Sequence, residues 1–135
     1  MGNFITDGID DFMLTMENIA NTPDSVLNNM VQAGGKILEE STIGTGMSMG
    51  VYRTGVTLDS VKLGKPKNIS GGKEIYVTFE GTNADGNRNA EVAFVNEFGK
   101  TRQAGRPFVA AAVNESADDC NEAAADIYYE WLERQ

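Results

Sequence analysis

The chain has 135 residues, a formal net charge of -9 and no histidine. Its composition, 41% apolar and 23% charged, is that of a globular chain able to bury a modest core. Phosphate backbones repel such an acidic surface, which argues against nucleic acid as a main partner.

The lack of histidine removes the commonest general base and the commonest transition-metal ligand. The single Cys120 forms no internal disulfide and no thiolate zinc site, and it fits a reducing compartment. No apolar run approaches the ~20 residues of a membrane span. The start, MGNFITDGIDDF, lacks the basic segment and long apolar stretch of a secretion signal. The expectation is a protein made in the cytoplasm, with no membrane partner, no cofactor and no enzymatic activity.

Between Gly8 and Asn21, Ile9, Phe12, Met13, Met16 and Ile19 recur at spacings of three and four, which predicts an amphipathic helix. Thr22-Pro23-Asp24 reads as a second helix start, with Thr22 as N-cap, Pro23 in the first turn and Asp24 against the dipole. That helix is expected to run to about Glu40 on a stripe of Val26, Met30, Ala33 and Ile37. Gly34-Gly35 inside it marks a bend or a close helix contact. Residues 41 to 50, STIGTGMSMG, read as a loop.

Thr57 to Ser60 fits one helical turn. Val61 to Ile69 and Lys73 to Gly81 predict two strands around a Ser70-Gly71-Gly72 hairpin. GTNADGNRN, from Gly81 to Asn89, is a turn-rich loop. Ala90 to Phe98 fits a strand or a short helix; Asn89 as cap and Gly99 at C′ favour the helix. Pro107 opens a last helix to about Arg134, with a stripe of Val109, Ala112, Val113, Ser116, Cys120, Ala123, Ile127 and Trp131. The predicted class is therefore α+β: two N-terminal helices, a small antiparallel sheet with a hairpin, a short helix and a long C-terminal helix. The absence of a linker, repeat or composition break predicts one domain over residues 1–135.

Candidate chemistry is sparse. Asp7, Asp10 and Asp11, and Asp118, Asp119 and Glu122, could pair carboxylates for glycoside hydrolysis or hold a hard cation, but acids at these positions ordinarily solvate helix faces. Gly44-Thr45-Gly46 and Gly81-Thr82 lack the Gly-Lys-Ser/Thr of a phosphate loop. Lys100, Arg102 and Arg106 make a basic patch that fits an acidic docking surface and a solvated loop bridged to Glu97 equally well. Cys120 lies on the apolar stripe, as a buried small residue does. Trp131 is in phase with that stripe and Tyr129 is not.

Two motifs carry a resemblance. One is Glu97-Phe98-Gly99-Lys100, then Arg106-Pro107-Phe108, then Ala110 to Ala112, with Arg88 to Phe94 upstream; the other is Thr54-Gly55 followed by Leu58 and Ser60. With the helical N-terminal region they resemble, in order along most of the chain, the small neck proteins of long-tailed phages: head–tail joining or tail-completion proteins. Gly105 stands where that family usually has alanine, Tyr52-Arg53 where a proline is common, and Leu58 lies one residue late.

The resemblance implies a virion structural protein at the neck or head-proximal tail end, assembled in the host cytoplasm. It implies a ring, commonly of six subunits, partnered by head-completion or connector and tail proteins. Thr54, Gly55, Leu58, Ser60, Glu97, Phe98, Gly99, Arg106, Pro107 and Phe108 would be its assembly scaffold. In physical terms Gly99 lets the chain turn, Pro107 presets the last helix and Phe108 pins it in the core. An ion pair between Arg106 and Glu97 is expected across the loop. Readings from other classes are a small carboxylate-dependent hydrolase of a phage lysis module and a soluble adaptor domain.

Overall fold

A computed structural model describes residues 2–7, 11–17, 21–51, 56–100 and 102–135, with the backbone alone for 2–7, 11–17, 56, 100 and 103. The class is α+β, built on a sheet around one strand, β5 (Gly72–Phe79). Buried Lys73, Ile75, Val77 and Phe79 alternate along it with half-buried Glu74, Tyr76 and Thr78. That is the period of a strand with one covered face. On one edge β5 pairs antiparallel with β2 (Asp11–Glu17), and β2 pairs with β1 (Gly2–Asp7). On the other edge it pairs with β3 (Val61–Leu63) and β4 (Lys67–Ile69).

The hairpin expected around Ser70-Gly71-Gly72 forms, with Gly71 at φ 76° in the turn. The strand expected over Val61 to Ile69 is broken after Leu63. Gly64 still donates to Tyr76 O at 2.8 Å, but Pro66 has no N–H to continue a ladder.

The N-terminal helix expected from Gly8 to Asn21 is not what Asp11–Glu17 form. They are strand β2, in register with Thr78 to Gly72 of β5; residues 8–10 and 18–20 lie outside the described residues. Phe12, Leu14 and Met16 also alternate, so the segment carried both periods. Backbone pairing with β5 on one side and β1 on the other selects the extended one.

The next helix, α1 (Asp24–Ser48), is longer than expected. Its N-cap is Pro23, one residue later than expected, and no side chain caps it. Residues 41 to 48, expected as loop, continue it, and only Met49–Gly50 turn. Tertiary contacts explain this. Thr45 Oγ1 donates to Phe108 O at 2.7 Å and Ser41 Oγ to Ala112 O at 3.4 Å, both on the last helix. A side chain at Gly46 would overlap Leu58 Cδ2, so the missing Cβ is what lets the core close there. Packing outweighs the low helix propensity of the segment.

Gly34-Gly35 is the close approach suggested by the sequence, on two sides. Cys120 Sγ donates to Gly34 O at 3.1 Å, while a Cβ on Gly35 would come within 2.9 Å of Ile75 and Leu63. One glycine faces α4 (Phe108–Glu133) and the other the sheet. The helix α1 thus packs against α4 on one side and the sheet on another. Buried Leu38, Val61, Val77, Phe79, Phe108 and Cys120 anchor one core cluster. Leu27, Met30, Val31, Ile75 and Ala124 form a second, and half-buried Leu63 touches both.

Among the described residues one buried side chain is charged. Lys73, 3% exposed, ion-pairs with Asp24 at the first residue of α1 and donates to Asn68 Oδ1 of β4. Its ammonium ties the hairpin to the helix start.

Candidate functional site

The short helix α2 (Val56–Asp59) precedes β3, and α3 (Asn89–Phe98) precedes the motif loop. The start of α3 is tied to the end of β5. Asn89 N donates to Gly81 O at 2.9 Å, and its side-chain Nδ2 donates to Glu80 O at 2.8 Å. Asn89 was expected to cap α3; the N-cap is Arg88, and Asn89 instead anchors the helix to the sheet. Within the preceding loop, Asn83 Oδ1 accepts from Asp85 N and Asn87 N, both at 3.0 Å.

At its other end α3 closes as expected. Gly99 has φ 80°, a left-handed value that costs glycine nothing, and its N–H donates to Val95 O. The chain then makes a tight hairpin, β6 (Gly99–Lys100) against β7 (Gln103–Ala104). Gly105 follows, pressed on the end of α3. A Cβ there would lie 2.8 Å from Glu97 O and 2.9 Å from Phe98 C, both backbone atoms. Glycine at this position is thus a requirement of this chain's own loop path.

Pro107 is the N-cap of α4 and offers no side-chain acceptor. The acceptor comes from α3. Glu97 Oε1 accepts from Val109 N at 2.7 Å and Oε2 accepts from Ala110 N at 3.2 Å. One carboxylate satisfies two amides that helix geometry leaves open, at the positive end of the dipole. The expected Glu97–Arg106 ion pair is therefore not formed. Glu97 is turned onto the helix amides, and Arg106 Nη1 donates to Gly50 O at 3.0 Å. Arg106 spans from the motif loop to the end of α1.

Phe108 is fully buried and meets Phe79 edge to face, with ring centroids 6.0 Å apart. Leu58, 5% exposed, belongs to the same core cluster. The two sequence motifs meet over Gly46, whose missing side chain leaves room for Leu58 and, at 3.3 Å, Phe108. Ser60 is also buried; its Oγ donates to Thr57 O at 2.6 Å, and its carbonyl accepts from Glu80 N at 2.9 Å. Thr54 and Gly55 lie outside the described residues.

Phe98 points the other way from Phe108. It is 62% exposed, and its ring lies 4.7 Å from that of Phe94, one helical turn back. Alanines 90 and 93 fill the buried face of α3, so the two phenylalanines are left to solvent. Arg102 and Arg106 are exposed beside this helix end. The face is aromatic and basic on an acidic protein, and the sequence signal for it was the i, i+4 spacing of the two rings.

The groups that could do chemistry are otherwise engaged or dispersed. Burial pushes the Cys120 thiol above its ordinary value, with Asp119 adding to the effect and Ser116 opposing it. It is a poor nucleophile at neutral pH. Asp118, Asp119 and Glu122 are exposed along α4. Among the described residues no three metal-ligating side chains converge, and no helix is long and apolar enough to cross a membrane. A shallow cleft between α1 and α4 is lined by Ser41, Gly44, Thr45, Ser48, Met49 and Glu115. Trp131, expected in the core, is only half-buried and lines a second cleft beside Val26 and Ile127, while Tyr129 is exposed. Comparison with family models, with curated proteins and with solved structures gives no match to this chain.

Proposed function

We propose that this chain is a virion structural protein of a long-tailed phage, acting at the neck or the head-proximal end of the tail. It joins the head connector to the tail, or completes the tail end, as a ring of copies. Its partners are further copies and the head-completion and tail proteins, and it carries no cofactor.

The observation that supports this best is the corner from Glu97 to Phe108. Every motif residue described there holds a backbone in place or presents a surface; none is poised on a reacting atom. Glu97 caps α4, Gly99 turns the chain, and Phe108 fixes the helix start in the core. Phe98 and Arg106 are exposed beside that anchored helix start. Such a joint suits an assembly protein, whose work is to hold a contact face at a fixed angle.

The test is electron microscopy of particles made without this gene. Filled heads separated from tails, or tails of aberrant length, are the expected result. Normal particles of full infectivity would overturn the joining role.

A further inference from the structure

Exposed apolar groups stand near both ends of α4, in surroundings of opposite charge. Near its start are Phe94 and Phe98, 37% and 62% exposed, with exposed Arg102 and Arg106 beside them. Glu91 on the same helix is already paired with Arg88 at 3.8 Å. Near the far end are Tyr129 and Leu132, 60% and 41% exposed. Asp126 and Glu133 lie three and four residues from Tyr129, on its face of the helix, and Glu130 is its neighbour in the chain. From Phe108 to Glu133 the helix has no lysine or arginine; one cation, Arg134, follows at its C-cap, four residues beyond Glu130.

Either group alone is unremarkable on a monomer. Together they match. Each has an aromatic centre of the kind that anchors interfaces, one inside a basic rim and the other inside an acidic rim. The two groups stand apart along α4: Tyr129 lies 21 residues beyond Phe108, about 32 Å at ~1.5 Å per residue. One molecule cannot bring them together, but two can.

We propose that the Phe94–Phe98 face of one copy, with Arg102 and Arg106, docks on the Tyr129–Leu132 face of a second copy. The two faces differ, so the contact is head-to-tail, the kind that generates a ring where the rotation between copies closes. This deepens the ring reading and rests on it for its setting, while its test is independent of the particle.

The test is sedimentation velocity of the full chain over a concentration series at low salt. The wild type is expected to assemble as concentration rises, and to dissociate as salt is added. Phe98→Glu and Tyr129→Lys each break one face at an exposed position, so each alone is expected to stay monomeric. Mixed, they keep one intact face each, and the expected species is a one-to-one dimer and nothing larger. As a check that does not touch the aromatics, Arg102→Glu should abolish assembly, and adding Glu130→Arg in the same chain should restore it. A wild type that stays monomeric, a single variant that assembles like wild type, or a mixture without dimers would each overturn the contact. A monomeric wild type together with heads parted from tails in the deletion would sink this contact and leave the neck reading standing. An assembling wild type with normal deletion particles would do the reverse.

Discussion

The carboxylate of Glu97, on α3, caps α4 by accepting the amide of Val109 at 2.7 Å, twelve residues along the chain. The cap joins two helices, so its loss should be felt at both. Glu97→Ala is expected to lower unfolding stability by about 1–2 kcal/mol, the scale of a lost N-cap. Hydrogen exchange at Val109 and Ala110 should quicken more than elsewhere in α4. Equal exchange in variant and wild type would show that the cap contributes nothing.

Arg106 takes no part in that cap. Arg106→Ala should change stability by no more than about 0.5 kcal/mol, as surface substitutions do. In a double-mutant cycle with Glu97→Ala the coupling should be near zero. A coupling above about 1 kcal/mol would reinstate the ion pair across the loop.

Gly44 and Gly46 lie two residues apart in α1 and should respond differently to alanine. Nothing lies within 4 Å of a Cβ built at Gly44, whereas one at Gly46 overlaps Leu58. Gly44→Ala is expected to stabilise by up to about 1 kcal/mol through helix propensity. Gly46→Ala should fall below it by about 1–3 kcal/mol, because the core is overpacked. Thermal melts of the two variants side by side decide this.

Lys73 and Asp24 should not be equivalent in loss. Asp24→Ala leaves a buried ammonium with only Asn68, and is expected to cost about 1–3 kcal/mol. Lys73→Met removes the charge and keeps the stem, and should stay within about 1 kcal/mol of wild type. Urea unfolding measures both.

Cys120 sets a pH dependence. Burial, first of its causes, raises the folded thiol above its ordinary value of 9.0. The folded protein therefore holds a proton that the unfolded chain gives up. This contribution is intact below pH 9.0 and is lost as pH rises through the folded value. The stability gap between wild type and Cys120→Ala should shrink from pH 9.0 upward. A gap constant with pH would mean that the thiol titrates alike in both states.

What the residues made legible was local. The cap Gly99 and the start at Pro107 marked α3 and α4, and alternation marked β5, because each signal acts within a few residues. The segment around Phe12 to Met16 carried two periods, and only its neighbours in the sheet decide between them. Residues 41 to 48 lack propensity and are helical because Thr45 and Gly46 meet Phe108 and Leu58. In the candidate site the sequence pointed Glu97 to a partner other than the one it has. Charge suggested Arg106, and geometry gave it the amides of α4.

The hydrogen bond from Cys120 to Gly34 spans 86 residues. On a ribosome adding about 5–20 residues per second, the helix α1 therefore waits roughly 4–17 s for the strand of chain that covers it. During that interval the face of α1 that α4 covers, with Gly34 in it, has no permanent neighbour. Chains halted before α4 should be insoluble or degraded, while finished chains are safe.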